Sequence, residues 1–505
     1  MAIQRPGVYV QETLNPVAPV VGAASDTVAA FIGANDRGPT TPTLVTSWNQ
    51  YTTLFGSWNT VASNNLPIAV YLFFANGGSQ AYVSRVLGSG AASATRTLND
   101  RDTSVDPTIT LTAINAGTWA NSLNVSITNS ATANKFDLTV YNGGATDAFV
   151  VERFTDLTMA STTDARYAVN VINTSSKYLI ATDLSADAVG AAKNPAVITN
   201  EPLSGGNDGS AVTAINNYSG FDTIPQSMVL NVPGFTDAVT VNAAIAYAES
   251  RSDVFVIVDG KKDSSGKYDD TVAQQISLVA SYTASSAAAV YYPSLTIADP
   301  TVGLGAASGS TKLVGAGGAV AGLFAATDAS RGVFKAPAGL TARLAGAVAV
   351  KALSNSDLDT LNSNSAAVNA IRFISGSGIV VMGSRTLKSG YVDKYVPVRR
   401  TLIYLRKAMT DLTQFAIFEP NDPALWRRIN SALSTFLTNF WSQGGLRGAT
   451  PQQAYFVKVD ATNNPQSSID NGFVNIEVGV ALQRPAEFIV IKISQFDGGT
   501  TVTVA

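Results

Sequence analysis

The sequence predicts a multidomain chain of α/β and α+β type, with an inserted β-rich domain and extended arms at both ends. Three observations lead there. At 505 residues and about 100–200 residues per domain, there is room for about three domains, each large enough to bury a core. After residue 207, strand-like and helix-like segments alternate, the pattern of a mostly parallel sheet flanked by helices. Residues 89–206 instead form short Thr-, Asn-, Ser- and Val-rich segments with turn signals at close spacing.

Taken in order, the first 22 residues hold Pro6, Pro16 and Pro19 around short apolar stretches, which suits an extended arm rather than a helix. Within them, residues 17–21 can form a strand. Residues 27–33 (TVAAFIG) read as a buried strand and residues 35–39 as a turn. Residues 66–76 combine a proline near the start, apolar residues at helical spacing and Gly77-Gly78 beyond, hence a helix with a glycine stop. Residues 81–87 return as a strand. In the insertion, residues 108–112, 123–128 and 135–141 read as strands, with Asn142-Gly143-Gly144 as a turn. Strands at 227–232, 254–259 and 287–292 then alternate with helices at 239–250 and 270–284.

The last 170 or so residues read as α+β. Their boldest element is a helix over 423–443, capped by Asp422, with Pro423 in the first position and Gly444-Gly445 as the stop. Leu425, Ile429, Leu433, Phe436 and Phe440, with Trp426, Leu437 and Trp441 alongside, recur at three- and four-residue spacing and define one buried stripe. Strands follow at 473–481 and 487–494. The second contains Phe488-Ile489-Val490-Ile491-Lys492-Ile493, apolar on both faces and an aggregation hazard if left bare. Its own sheet or another subunit must cover it.

Composition removes whole chemistries. With no Cys and no His, there is no disulfide, no thiol nucleophile, no Cys/His zinc site and no Ser-His-Asp triad. No phosphate-cradling G-x-x-x-x-G-K-[ST] loop occurs, and the glycines at 303–305 and 315–318 read as loop bends. Asp259-Gly260 with Asp263, Asp269 and Asp270 offers oxygen ligands to a hard cation, but without calcium-loop spacing an exposed turn after a strand is the plainer reading. No catalytic, cofactor or metal residue is expected. Asp259 and Asp270 stay open as a carboxylate pair for glycan hydrolysis, because such pairs meet only in space.

Charge is scarce: 14% of residues against roughly 25% in ordinary soluble domains, with a net charge of −3. Between Arg385 and Lys458, however, eleven basic residues face four acidic ones, a local +7 set against −10 elsewhere. Either these are solvated helix faces or they form a basic surface for an acidic protein partner. Arg399-Arg400 and Arg427-Arg428 lack the interleaved aromatics of a nucleic-acid site, and no direct nucleic-acid binding is expected. The apolar run at 315–326 is too short and glycine-rich to span a bilayer, and the N-terminal residues carry no secretory signal pattern. A soluble protein kept in the compartment where it is made is expected.

A resemblance emerges from several stretches in fixed order. They begin with Arg5-Pro6-Gly7-Val8-Tyr9-Val10-Gln11-Glu12, residues 27–33, Gly38-Pro39, Leu44-Val45-Thr46-Ser47-Trp48, Phe55-Gly56, Phe73-Phe74-Ala75-Asn76-Gly77-Gly78 and Ala81-Tyr82-Val83-Ser84-Arg85-Val86. Asp328-Ala329-Ser330-Arg331-Gly332-Val333-Phe334-Lys335-Ala336-Pro337-Ala338 and Asn369-Ala370-Ile371-Arg372 follow. The densest part is Gly383-Ser384-Arg385-Thr386-Leu387, Val398-Arg399-Arg400, Phe418-Glu419-Pro420-Asn421-Asp422, Leu446-Arg447-Gly448-Ala449-Thr450-Pro451 and Arg484-Pro485-Ala486-Glu487-Phe488. These residues resemble the tail sheath proteins of contractile phage tails and related contractile injection systems. The likeness covers about 80 residues at the start and nearly the last 180. Residues 89–206 match nothing nameable, where the family typically carries a variable outer domain.

The resemblance implies a structural subunit, not an enzyme, that polymerises as stacked six-fold rings around an inner tube and contracts to drive the tube through a target cell envelope. It implies an α/β core assembled from both chain ends and the middle. The expected division is an N-terminal arm (1–24), a first core segment (25–88), the β-rich outer domain (89–206), a non-catalytic α/β domain of subtilisin-like architecture (207–375), a C-terminal α+β sheath domain (376–485) and a C-terminal arm (486–505). Strand exchange between subunits is expected at Val17, Ala18, Val20 and Val21 and at Phe488, Ile489, Val490, Ile491 and Ile493. Arg427, Arg428, Arg447 and Lys458 are candidates for gripping the inner tube. Implied partners are further copies, the inner tail tube protein, and baseplate and tail terminator proteins, with no membrane insertion. The implied location is the virion tail, assembled in the host bacterial cytoplasm. Adhesion through the inserted domain, or glycan hydrolysis, stand as alternatives.

Overall fold

The computed structural model describes residues 27–58, 65–103, 105–144, 146–184, 186, 188–262, 267–268, 270–302, 307, 309–363, 367–388 and 394–488. They form two compact units. The larger holds residues 27–330 and 337–396, the smaller residues 331–336 with 397–488.

The larger unit is built on an eight-stranded sheet. Its strands are β1 (Val28–Ala34), β2 (Thr43–Val45), β3 (Ala81–Val86), β4 (Met228–Asn231), β5 (Val254–Val258), β6 (Ala288–Tyr292), β7 (Val368–Ile374) and β8 (Gly378–Val381). Their order is β8-β7-β6-β5-β4-β1-β3-β2. All neighbours pair in parallel except at the two edges, where β8 and β2 run antiparallel. Sequence explains the central position of β5 and β6: VFVIV and AAVYY are apolar throughout and every residue is buried, as a parallel strand covered on both faces requires.

Helices cover both faces. α1 (Leu66–Ala75) carries Pro67 in its first turn, and Gly77 at φ +94° ends it, as the sequence predicted. α2 (Ala238–Arg251) begins where the Asp237 carboxylate accepts from the Thr240 N–H at 2.8 Å, and buries Val241, Ala244, Ile245 and Ala248. α3 (Val272–Val279) lies in the crossover from β5 to β6. α4 (Gly317–Arg331) corrects an expectation, because Gly317 and Gly318 open a helix instead of bending a loop. A Cβ at Gly318 would lie 2.2 Å from the Ala69 carbonyl oxygen, and one at Gly322 2.4 Å from that of Phe73. Glycine is there so that α4 can press against the α1 backbone.

Residues 95–202 fold as two antiparallel sheets, three-stranded (Thr95–Asn99, Pro107–Ala113, Leu179–Asp183) and four-stranded (Ile198–Pro202, Leu123–Asn129, Phe136–Asn142, Val150–Leu157). They enclose one apolar core that includes Leu111, Val125, Leu138 and Ile172. Arg85 on β3 ties their base to the large sheet. It is buried, donates from Nε to the Asn35 carbonyl at 2.6 Å and from Nη1 to that of Ala116 at 2.5 Å, and lies 3.6 Å from Asp208.

The smaller unit consists of α5 (Val396–Thr413), α6 (Pro423–Ser442) and a two-stranded antiparallel sheet, β9 (Tyr455–Lys458) and β10 (Glu477–Val480). α6 starts as the sequence predicts: Asp422 Oδ1 accepts from the Leu425 N–H at 2.8 Å. Leu425, Trp426, Ile429, Leu433, Phe436, Leu437 and Phe440 are buried against Tyr404, Leu405, Ala408 and Leu412 of α5. At roughly 1.5–3 kcal/mol per buried large side chain, this stripe dominates the stability of the unit. The expected strand over 473–481 is shorter, because local polar groups take the backbone of its first half. Phe473 N–H donates to the Ser468 carbonyl at 2.9 Å, Asn475 N–H to Asn464 Oδ1 at 2.6 Å, and Asn463 Nδ2 to the Asn475 carbonyl at 3.0 Å.

Candidate assembly interface

The smaller unit leaves one edge of its sheet and an apolar surface exposed. In its sheet, Ala481 N–H donates to the Ala454 carbonyl at 2.8 Å and Arg447 N–H to that of Ala481 at 2.7 Å. Those bonds set the phase of the ladder. With Tyr455 opposite Val480 and Val457 opposite Val478, the alternation of an antiparallel pair turns the main-chain groups of these four residues outward.

The two outward edges differ. On β9, Tyr455 N–H is taken by the Pro451 carbonyl and the Val457 carbonyl accepts from Asn430 Nδ2 at 3.2 Å. On β10, no partner to the outward N–H and C=O of Val478 and Val480 exists among the described residues. An open strand edge is a template for a further strand, and a two-stranded sheet gains stability from a third. The side chains of Tyr455, Val457, Val478 and Val480 pack toward α6. On the other face Phe456 lies over Gly479, where a Cβ would come within 2.1 Å of the ring.

The turn after α5 adds an exposed apolar surface. Ile417 and Phe473 are exposed and Phe418 is fully so, at a positive φ of +64°. A bulky residue in that region carries strain of order 1–3 kcal/mol, held here by the surroundings. Asn421 Nδ2 donates to the Phe473 carbonyl at 2.9 Å, and Asn421 Oδ1 accepts from Trp426 Nε1 at 2.8 Å. Rigidly displayed aromatics of this kind mark contact surfaces.

Of the residues expected to exchange strands, Val17, Ala18, Val20, Val21, Ile489, Val490, Ile491 and Ile493 lie outside the described residues. Phe488 is described, is exposed and is not in a strand. Among the proposed tube contacts, Arg427 and Arg428 are exposed on α6, opposite its buried stripe. Arg428 sits 5.0 Å over the Phe415 ring, with Nη1 3.5 Å from Glu419. Arg447 is exposed and Lys458, at the end of β9, half-buried. The basic region is narrower than its residue count suggests. Arg400 is buried, Lys407 is bound to Asp411 at 2.5 Å, and Arg385 Nη1 donates to the Asn362 carbonyl at 2.6 Å.

The carboxylates considered for cation binding or hydrolysis are also placed differently. Asp259 ends β5 in the interior of the larger unit, not on an exposed turn, and its Oδ1 accepts from Gly317 N–H at 2.6 Å. Burial pushes its pKa up to about 6, against the opposing pull of the Gly317 N–H and the Lys262 charge. Asp270 is buried with Lys261 Nζ at 3.5 Å. Asp263 and Asp269 lie outside the described residues. Asp259 therefore anchors the first turn of α4. Sequence reading also passed over β9, whose YFVK carries only a short β signal, and α5, whose apolar positions are interrupted by basic pairs.

Comparison with known proteins bears on the fold and on the C-terminal residues. Residues 393–496 match the phage tail sheath C-terminal domain. The tail sheath protein of Vibrio phage KVP40 is 28% identical over 127 residues, 25% of this chain and 18% of that protein. The chain thus spans less than a fifth of the length of the curated relative it matches. Among solved structures, the sheath complex of the extracellular contractile injection system PVC in its contracted state covers 98% of both chains at a TM-score of 0.59 and 22% identity. Sheath tail proteins from Desulfitobacterium hafniense (13% identity, 90% of this chain, 94% of that one, TM-score 0.57) and Listeria innocua (13%, 88% and 90%, TM-score 0.58) share the fold as well.

Proposed function

We propose that this chain, which resembles contractile tail sheath proteins in fold and carries a sheath C-terminal domain at residues 393–496, is the structural subunit of a contractile sheath in a phage tail or injection system. The observation that carries the reading is that domain's two-stranded sheet, which leaves β10 open along Val478 and Val480. Arms from neighbouring subunits add strands to it. We assign that exchange to Val17, Ala18, Val20 and Val21 and to Phe488, Ile489, Val490, Ile491 and Ile493. About five main-chain bonds at a net ~0.5–1.5 kcal/mol each link every subunit by a few kcal/mol before apolar burial. Stacked six-fold rings around an inner tube become a continuous mesh, in which each subunit moves as a nearly rigid body without leaving its neighbours.

Contraction is then a switch between two packings of one polymer, released from a baseplate and consuming no nucleotide. A chain with only 14% charged residues makes new contacts at low desolvation cost. Exposed Arg427, Arg428 and Arg447, with Lys458, grip an acidic tube reversibly, since rim charges break and re-form easily. The six-part division, the tail terminator as a further partner and assembly in the host cytoplasm belong to the same reading. Electron microscopy of the purified chain, alone and with its tube protein, tests it. Rings or cross-striated tubes are expected, and a protein that stays monomeric under all assembly conditions refutes it.

A further inference from the structure

A cleft of ≈ 200 Å³ lies between the turn after β1 and the base of the inserted sheets, lined by Asp36, Arg37, Trp58, Trp119, Ser122 and Asn142 among others. Its volume is about that of seven waters, below the roughly 300–1,000 Å³ of drug-sized sites. Arg37 is its unusual member. The side chain is 8% exposed, and its guanidinium is stacked between the rings of Trp119 (4.7 Å) and Tyr178 (4.3 Å).

One hydrogen bond holds that guanidinium, from Nη2 to the Lys177 carbonyl at 3.0 Å. Nε is buried and unpaired, Nη1 has no partner among the described residues, and no carboxylate there lies within ion-pair distance. Asp36 lines the same cleft but is not in ion-pair contact with this guanidinium, and a buried cation held by one hydrogen bond among the described residues is costly, so the guanidinium can take a further acceptor. The remaining walls offer two indoles, the Trp119 Nε1–H without a partner, and Asn142, whose Oδ1 is held by Ser122 Oγ at 3.0 Å and whose Nδ2 makes no bond among the described residues.

We infer that this cleft binds a sugar ring bearing a carboxylate, of the uronic-acid class. The carboxylate meets the Arg37 guanidinium, the complement that forms its strongest hydrogen bonds. The ring packs against Trp58 and Trp119, which have one face each covered by Trp48 and by Arg37 and keep the other for the C–H face of a pyranose, and the ring hydroxyls accept from Asn142. Asp36 at the same cleft disfavours a doubly charged phosphate. The site lies in the larger unit, remote in sequence from the sheath domain, so it stands or falls independently of the assembly reading.

Saturation-transfer NMR and calorimetry on the full-length protein test it, with methyl glucuronide, methyl glucoside, acetate and inorganic phosphate as probes. Methyl glucuronide is expected to bind with Kd on the order of 1 mM or below. Methyl glucoside and acetate should bind at least about tenfold more weakly, and Arg37→Gln and Asn142→Ala should each weaken the glucuronide about tenfold. Asn142 lies at the cleft wall, so its variant keeps the test sharp if Arg37→Gln misfolds. No glucuronide binding by the wild-type chain, equal binding of acetate or of the neutral sugar, preferential phosphate binding, or an unchanged Asn142→Ala overturns the inference. Tube formation seen by microscopy in the same preparations is a separate readout.

Discussion

Asp259 ties protonation to folding at a single residue. Its folded pKa is about 6, above the roughly 3.9 of an unfolded Asp, so the native state holds its proton more tightly. The resulting stabilisation is fully present below about pH 4 and is lost as the pH rises through about 6. The free energy of unfolding of the wild type relative to Asp259→Asn should therefore fall by on the order of 1–3 kcal/mol between about pH 4 and pH 7. Urea titrations at several pH values measure this, and a flat difference would sink the account. Comparison with the variant is needed because Asp156, Asp357 and Asp460 act with the opposite sign. Hydrogen bonds from neighbouring hydroxyls and N–H groups hold their pKa values down, and their contribution is lost in acid. In the smaller unit, Asp422→Ala removes the cap of α6 and should cost about 1 kcal/mol.

At the scale of elements, two contacts decide whether the reading of the fold is right. α4 lies so close to α1 that Gly318→Ala places a methyl group against the Ala69 carbonyl. Overpacking of that kind should cost about 1–3 kcal/mol in chemical denaturation. An unaffected stability would mean the helices can part. On β10, the Val478 N–H faces away from β9, so Val478→Pro spares the existing ladder and blocks only strand addition. Circular dichroism should report an intact fold while microscopy finds no long tubes. Normal tubes from that variant would move the exchange site elsewhere.

For the whole molecule, the inserted sheets carry an apolar core of their own within the larger unit. Ser210 N–H donates to the Ser89 carbonyl at 3.0 Å, so the two ends of the insertion lie side by side, and its core is its own. Replacing residues 90–206 with a short linker should leave a folded chain that still forms tubes, whereas deleting residues 1–22 or 487–505 should leave a folded monomer that does not. Sedimentation and microscopy distinguish the three variants. Tubes from either arm deletion, or their loss on removing the insertion, would reverse the assigned roles.

Much of this was legible in the sequence, because local physics writes it there. Apolar runs such as VFVIV announce a strand buried on both faces, the Asp422-Pro423 start and the three- and four-residue spacing define α6, and the lack of His and Cys closes off whole chemistries. What only the tertiary structure decided depends on neighbours distant in the chain. The glycines near 317 became a helix face only because α1 passes there, and Asp259 moved inside only because α4 offers its first N–H groups. The stacked guanidinium of Arg37 appears only when Trp119 and Tyr178, more than 80 residues away, close on both its sides. Spacing along a chain records which residues share a face. It does not record which face of another element will meet them, and there the desolvation of each buried group is settled.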